Sequence, residues 1–143
     1  MADRAYSSQE IQDRFAIEDL YDRQLAAAEA HDWPAYDTTF SADARIDLSD
    51  FGQPERDYSE YRAWLVELSR NMPQAQRITG GLRLRLEGAR ATTRVPVSCH
   101  VKLRAEEGEV WVHNGLFYED ELARTDDGWR IVRRRETLAW AAE

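Results

Sequence analysis

Apolar residues return every three or four positions up to Ala30, with Ile17, Leu20, Tyr21, Leu25 and Ala28 along one side of a helix. Ser7 or Ser8 can cap its start, and Glu10 stands close enough to complete a capping box. Counting in fours through Ile17, Tyr21 and Leu25 reaches Glu29, in the stretch AAAEAHDW. The spacing thus predicts a carboxylate at the end of the buried face.

Asp32 reads as a second cap, Pro34 is tolerated in a first turn, and Trp33, Tyr36 and Phe40 form the apolar side of a short helix ended by residues 41–43. Residues 44–48 alternate as a short strand, and Gly52 and Pro54 break the chain after it. A third helix is predicted from about Tyr58 to Arg70, with Tyr61, Trp64, Leu65 and Leu68 as its buried stripe, and Pro73 stops it.

Beyond Pro73 the period changes to two. Residues 75–87, 90–105, 109–123 and 128–140 alternate, joined by turns at Glu87-Gly88, Glu107-Gly108 and Asp126-Asp127-Gly128. Gly80-Gly81 inside the first of these runs reads as a bulge or bend. Helices followed by a long antiparallel meander predict an α+β fold in which the sheet curls around the helices. The 143 residues suit one domain spanning 1–143, and they hold no repeat or linker.

Composition narrows the chemistry. A net charge of -8 disfavours nucleic acid and anionic membrane as partners and leaves small molecules or protein. Cys99 is the only cysteine, which excludes an internal disulfide and suits a reducing cytoplasm. MADRAYSSQE lacks the apolar core of a signal peptide, and no segment approaches the roughly 18 apolar residues of a spanning helix. No histidine pair has metal-ligand spacing, and neither a phosphate-binding glycine loop nor a Gly-x-Ser-x-Gly elbow is present, so no metal and no cofactor is expected.

Four stretches, AIEDLYDRQLAAAEAHDW, FSADARIDLSDFG, QRITGG and TDDGWRIVRR, resemble in order and spacing the SnoaL-like and scytalone-dehydratase-like branch of the nuclear transport factor two-like superfamily. The resemblance covers nearly the whole chain and implies a cone, with three N-terminal helices packed against a curved, mainly antiparallel sheet around a mostly apolar pocket. It also implies frequent homodimers. Members include dehydratases, dehydrochlorinases, isomerases, polyketide cyclases and epoxide hydrolases, mostly without cofactor, and non-catalytic relatives.

Dehydratase and dehydrochlorinase members pair an aspartate late in the first helix with a histidine at the start of the first long strand. Glu29 takes the first position and Arg77 the second. Two water-holding tyrosines of scytalone dehydratase fall on Ala28 and Leu48, so that enzyme's chemistry is not expected. A second dehydratase histidine falls at residue 100 or 101, which makes His100 a catalytic candidate even though the alternation of Val95, Val97, Cys99 and Val101 turns His100 outward. A family asparagine falls on Tyr118.

Glu29 in a dry pocket would be a general base; turned to solvent, it is an ordinary helix-end glutamate. Arg77 stays charged and cannot be a base, but it can grip a carboxylate or phenolate, stabilise an enolate, or simply pair with Glu29. Tyr118 and Asn114 share parity with Val112 and Leu116, so both can reach the cavity, Tyr118 as a proton or hydrogen-bond donor. The implied cone would set Tyr21, Leu48 and Trp64 against the ligand. His100 and His113, with Trp111 and Phe117, fall on the opposite face, where a dimer partner would cover them.

The expected function is a cofactor-independent lyase, isomerase or cyclase acting on a hydrophobic polycyclic or polyketide-like molecule, with Glu29, Arg77, Tyr118 and His100 as catalytic candidates. Two other readings use the same cone. One is a non-catalytic binding or dimerisation module, and the other an epoxide-opening hydrolase or cyclase.

Overall fold

The computed structural model describes residues 3–142. Helix α1, Ser8–Ala30, begins in a complete capping box: the Glu10 N–H donates to Ser7 Oγ at 3.1 Å, and the Ser7 N–H donates to the Glu10 carboxylate at 3.2 Å. Its buried face is Asp13, Ile17, Leu20, Tyr21, Gln24 and Ala27. His31 closes the helix in the left-handed region at φ 53°.

Asp32 caps α2, Trp33–Asp37, by accepting the Ala35 N–H. This helix is shorter than its apolar spacing predicts, because Phe40 opens strand β1, Phe40–Asp47. The cause lies in two threonines. The Thr38 and Thr39 hydroxyls donate back to the Ala35 and Tyr36 carbonyls, and the freed Thr39 carbonyl accepts the Ile131 N–H.

A single 3-10 turn, Ser49–Phe51, and a two-residue strand β2, Arg56–Asp57, lead to α3, Tyr58–Arg70, which is capped by the Asp57 carboxylate. Pro73 follows, and five strands complete the chain: β3 Gln74–Thr79, β4 Arg83–Glu87, β5 Arg90–Ala105, β6 Gly108–Thr125 and β7 Gly128–Ala141. The run expected as one strand over 75–87 is two, parted at Gly80-Gly81. The Gly80 N–H donates to the Pro96 carbonyl at 2.8 Å, and a Cβ at residue 80 would lie 2.8 Å from Pro96 Cγ, so this approach admits only glycine.

The seven strands form one sheet in the order β2-β1-β7-β6-β5-β3, with β4 pairing further along the same edge of β5. All pairings are antiparallel except β1 with β7. Val95, Val97, Cys99 and Val101 of β5 and Leu116, Tyr118 and Leu122 of β6 turn to the helix side and are buried there with Ile17, Leu20, Leu65 and Ile46. The fold is thus α+β, three helices against a curved and mostly antiparallel sheet. Among the described residues no helix is long and apolar enough to cross a membrane.

Candidate functional site

Between the helices and the concave sheet lies a cavity of about 730 Å³, a size that suits a small organic ligand. Leu25 of α1, Trp33 and Tyr36 of α2, Leu48 just after β1, the α3 residues Tyr61, Trp64 and Leu65, and Val101 and Leu116 of the sheet supply most of its wall. Polar groups arrive in two sets. Arg77, Cys99 and Asn114 stand opposite one another across β3, β5 and β6, while Tyr118 on β6 pairs with Glu136 on β7.

Electrostatics separates these groups. Burial raises the carboxyl pKa of Glu136, with a smaller push from Asp120, while Arg134 and Arg77 pull the other way. Burial likewise raises the Tyr36, Tyr61 and Tyr118 phenols, so each remains a hydroxyl donor or acceptor at neutral pH. The Tyr36 and Tyr61 hydroxyls lie 3.2 Å apart. For Arg77, burial opposes the charge, but Tyr118, Cys99, Tyr61 and Glu136 around it more than offset that penalty and its pKa rises. Burial raises the Cys99 thiol, which stays protonated.

Behind the cavity floor lies a fully buried ion pair. Arg134 donates two hydrogen bonds of 2.9 Å to Asp120, with the side chains 1% and 0% exposed. The Tyr21 hydroxyl donates to the same carboxylate and meets Thr93 Oγ1 at 2.6 Å. The Arg134 guanidinium lies 3.8 Å from the centre of the Tyr118 ring, which ties the ion pair to the orientation of that phenol.

The cavity gathers Arg77, Tyr118, Asn114, Leu48 and Trp64, as the sequence leads one to expect. Three other expectations need correction. Glu29 lies at the rim, but exposed. Each step of four residues advances a helix about 40° beyond a full turn, so three steps from Ile17 carry Glu29 roughly 120° around α1. Tyr21 does not reach the cavity wall, because its hydroxyl is held behind the floor by Asp120 and Thr93. His100 points from the outer face, where its Nδ1 meets Nδ1 of His113 at 2.7 Å and its Nε2 meets Ser98 Oγ at 2.8 Å. Strand alternation sends it there, as it sends Val101 inward.

Glu136 is the functional candidate that sequence reading misses. Alternation through the buried Trp129 and Ile131 would turn Arg133 and Arg135 inward and leave Glu136 outside. A bulge at residue 132, where Leu122 pairs with Ile131 but Glu121 pairs with Arg133, reverses that parity. Arg134 and Glu136 therefore turn inward.

Residues 9–135 match the model of the SnoaL-like domain family. An uncharacterized protein of Mycobacterium tuberculosis is 32% identical over 128 residues, 90% of this chain and 86% of that one. Among solved structures, the Kfla4162 protein of Kribbella flavida superposes with a TM-score of 0.84 at 24% identity, covering 93% of this chain and 95% of that one. The hexachlorocyclohexane dehydrochlorinase LinA-type3 of Novosphingobium barchaimii gives 0.79 at 20% identity, covering 92% and 90%. Together with the helices packed against the curved sheet, the family match assigns this chain to the SnoaL-like domain family.

Proposed function

We propose that the protein is a cofactor-independent lyase, isomerase or cyclase that moves a proton on a hydrophobic, ring-containing small molecule inside the cavity. The observation that carries this reading is Glu136, a carboxyl group whose pKa burial raises, in a cavity walled mainly by hydrocarbon and aromatic rings. Such a group holds its proton more tightly than an ordinary carboxyl does, which suits it to pass a proton to or from a bound ligand. Arg77 and the Tyr118 hydroxyl face the same space and can stabilise the oxygen on which negative charge develops when a neighbouring C–H bond is broken. Glu136 thus takes the role expected of Glu29, and Glu29 at the rim is left to meet ligands on entry.

The test is solvent-deuterium exchange into the α-carbon of 2-tetralone, followed by proton NMR. The wild type is expected to accelerate exchange over buffer, and Glu136→Gln to lose about a hundredfold or more of that acceleration. Equal rates for the two proteins, or no acceleration at all, would refute the assignment.

A ligand-binding cup without chemistry is favoured by one observation: the cavity interior carries no histidine, since His100 and His113 face outward and His31 is exposed at the rim. We also propose a homodimer through the outer face of the sheet. Ile78, Trp111 and Trp140 are about half exposed there, which supports a covering partner. A monomer mass by sedimentation at micromolar concentration would reject that assembly.

A further inference from the structure

We infer that the ligand enters as an anion: an apolar ring frame carrying an oxygen already charged on binding, set against Arg77, and a hydroxyl set against Asn114. This rests on the reading that the cavity receives the substrate. It adds a charge state and a polar pattern to it: Arg77 then meets the charge that the ligand brings, and the Tyr118 hydroxyl meets the charge that develops during proton transfer.

Two unmet requirements of the cavity lead to this conclusion. Arg77 is half-buried in the wall and makes no salt bridge with any carboxylate among the described residues. The other arginine beneath the cavity, Arg134, is already neutralised by Asp120, so it does not compete for an incoming anion. Glu136 is the remaining acid of the interior, and burial disfavours its ionised form. The interior therefore holds a guanidinium whose countercharge the protein does not supply at bonding distance, and an oxyanion on the ligand supplies it.

Asn114 Oδ1 is the second requirement. It is buried in the cavity wall without a hydrogen-bond partner, an arrangement that is unfavourable unless a ligand or solvent group donates to it. A hydroxyl fits whichever way the amide is turned, because it both donates and accepts. Arg77 and Asn114 both pair with Cys99, from opposite sides, so their backbones are two strand spacings apart, roughly 10 Å. The two groups therefore belong on separate positions of one ring system rather than on a single carbon.

Binding of four naphthalene probes, read by isothermal titration calorimetry at pH 7, tests this: 2-naphthoate, 6-hydroxy-2-naphthoate, 2,4-dinitro-1-naphtholate and neutral 2-naphthol. The carboxylate or the phenolate is expected to bind at least about tenfold more tightly than 2-naphthol, and whichever gains more names the source of the charge. Arg77→Gln should erase that advantage while naphthol binding persists, and Arg77→Lys should keep part of it. Asn114→Leu should erase only the gain of 6-hydroxy-2-naphthoate over 2-naphthoate. Naphthol binding as tightly as both anions, an anion preference that survives in Arg77→Gln, or binding of none of the four would overturn the inference. Glu136→Gln separates the two proposals. If it abolishes tetralone exchange while the probes show no anion preference, catalysis stands and the anionic ligand falls; if the preference holds and exchange is unaffected, the reverse is true.

Discussion

Replacing Asp120 by alanine leaves the Arg134 guanidinium buried without its anion, because nothing else among the described residues forms a salt bridge with it. The pair is 1% and 0% exposed, so water cannot take the place of the lost carboxylate. Breaking a buried pair from one side costs about 3–5 kcal/mol. The Tyr21 hydroxyl also loses the acceptor it donates to, a loss of about 1–3 kcal/mol on its own that overlaps the first because both act through one carboxylate. We expect a total near 4 kcal/mol, a large part of the roughly 5–15 kcal/mol that holds a domain folded. Urea unfolding followed by circular dichroism, with an unchanged m-value, measures it. The double variant Asp120→Leu with Arg134→Met removes both charges and should recover most of the loss. A single-variant loss below about 1 kcal/mol, or a double variant as unstable as the single, would refute the view that an uncompensated buried charge is the cause.

Glu136→Gln should stabilise the protein at neutral pH and leave it unchanged near pH 4. The folded state holds the Glu136 proton more tightly than the unfolded chain, so wild-type stability falls as pH rises from the ordinary value of 4.5 through the raised one, and glutamine removes that fall. Urea midpoints across pH 4–8 would contradict the assignment if the two proteins kept a constant difference. Ser7→Ala should cost about 1 kcal/mol, since it removes the hydroxyl that caps α1, while Ser8→Ala should be close to neutral; a larger loss at Ser8 would misplace the cap.

Local rules read the helices well because each boundary is set by a short-range bond. Ser7 with Glu10 and Asp32 announce their caps in the sequence, and α3 ends just before Pro73 as its pattern predicts. The same rules fail where a distant strand decides. Phe40 belongs to β1 because the residue before it bonds to Ile131, and Gly80-Gly81 divides β3 from β4 because Pro96 presses against residue 80. At the cavity, parity places Asn114 and Tyr118 correctly, since β5 and the middle of β6 pair without interruption, while Arg77 comes to the cavity by the family resemblance and not by parity. It misplaces Glu136, because the bulge that turns it inward is visible only as a mismatch between two paired strands. Glu29 fails for a geometric reason, the drift of a four-residue count around a helix with 3.6 residues per turn.

The parallel partnership of β1 with β7 has a consequence for how this chain matures. β1 is made early, yet the neighbour that completes its hydrogen bonding lies about 90 residues further along, with Phe40 opposite Ile131. A growing polypeptide therefore emerges with β1 and the three helices formed or forming, while one flank of the future sheet stands open. Arg134 and Glu136 ride on that late strand, so the ion pair beneath the floor and the carboxyl that lines the cavity are installed in the same event that seals the sheet. Closure of the sheet and completion of the cavity wall are thus one step.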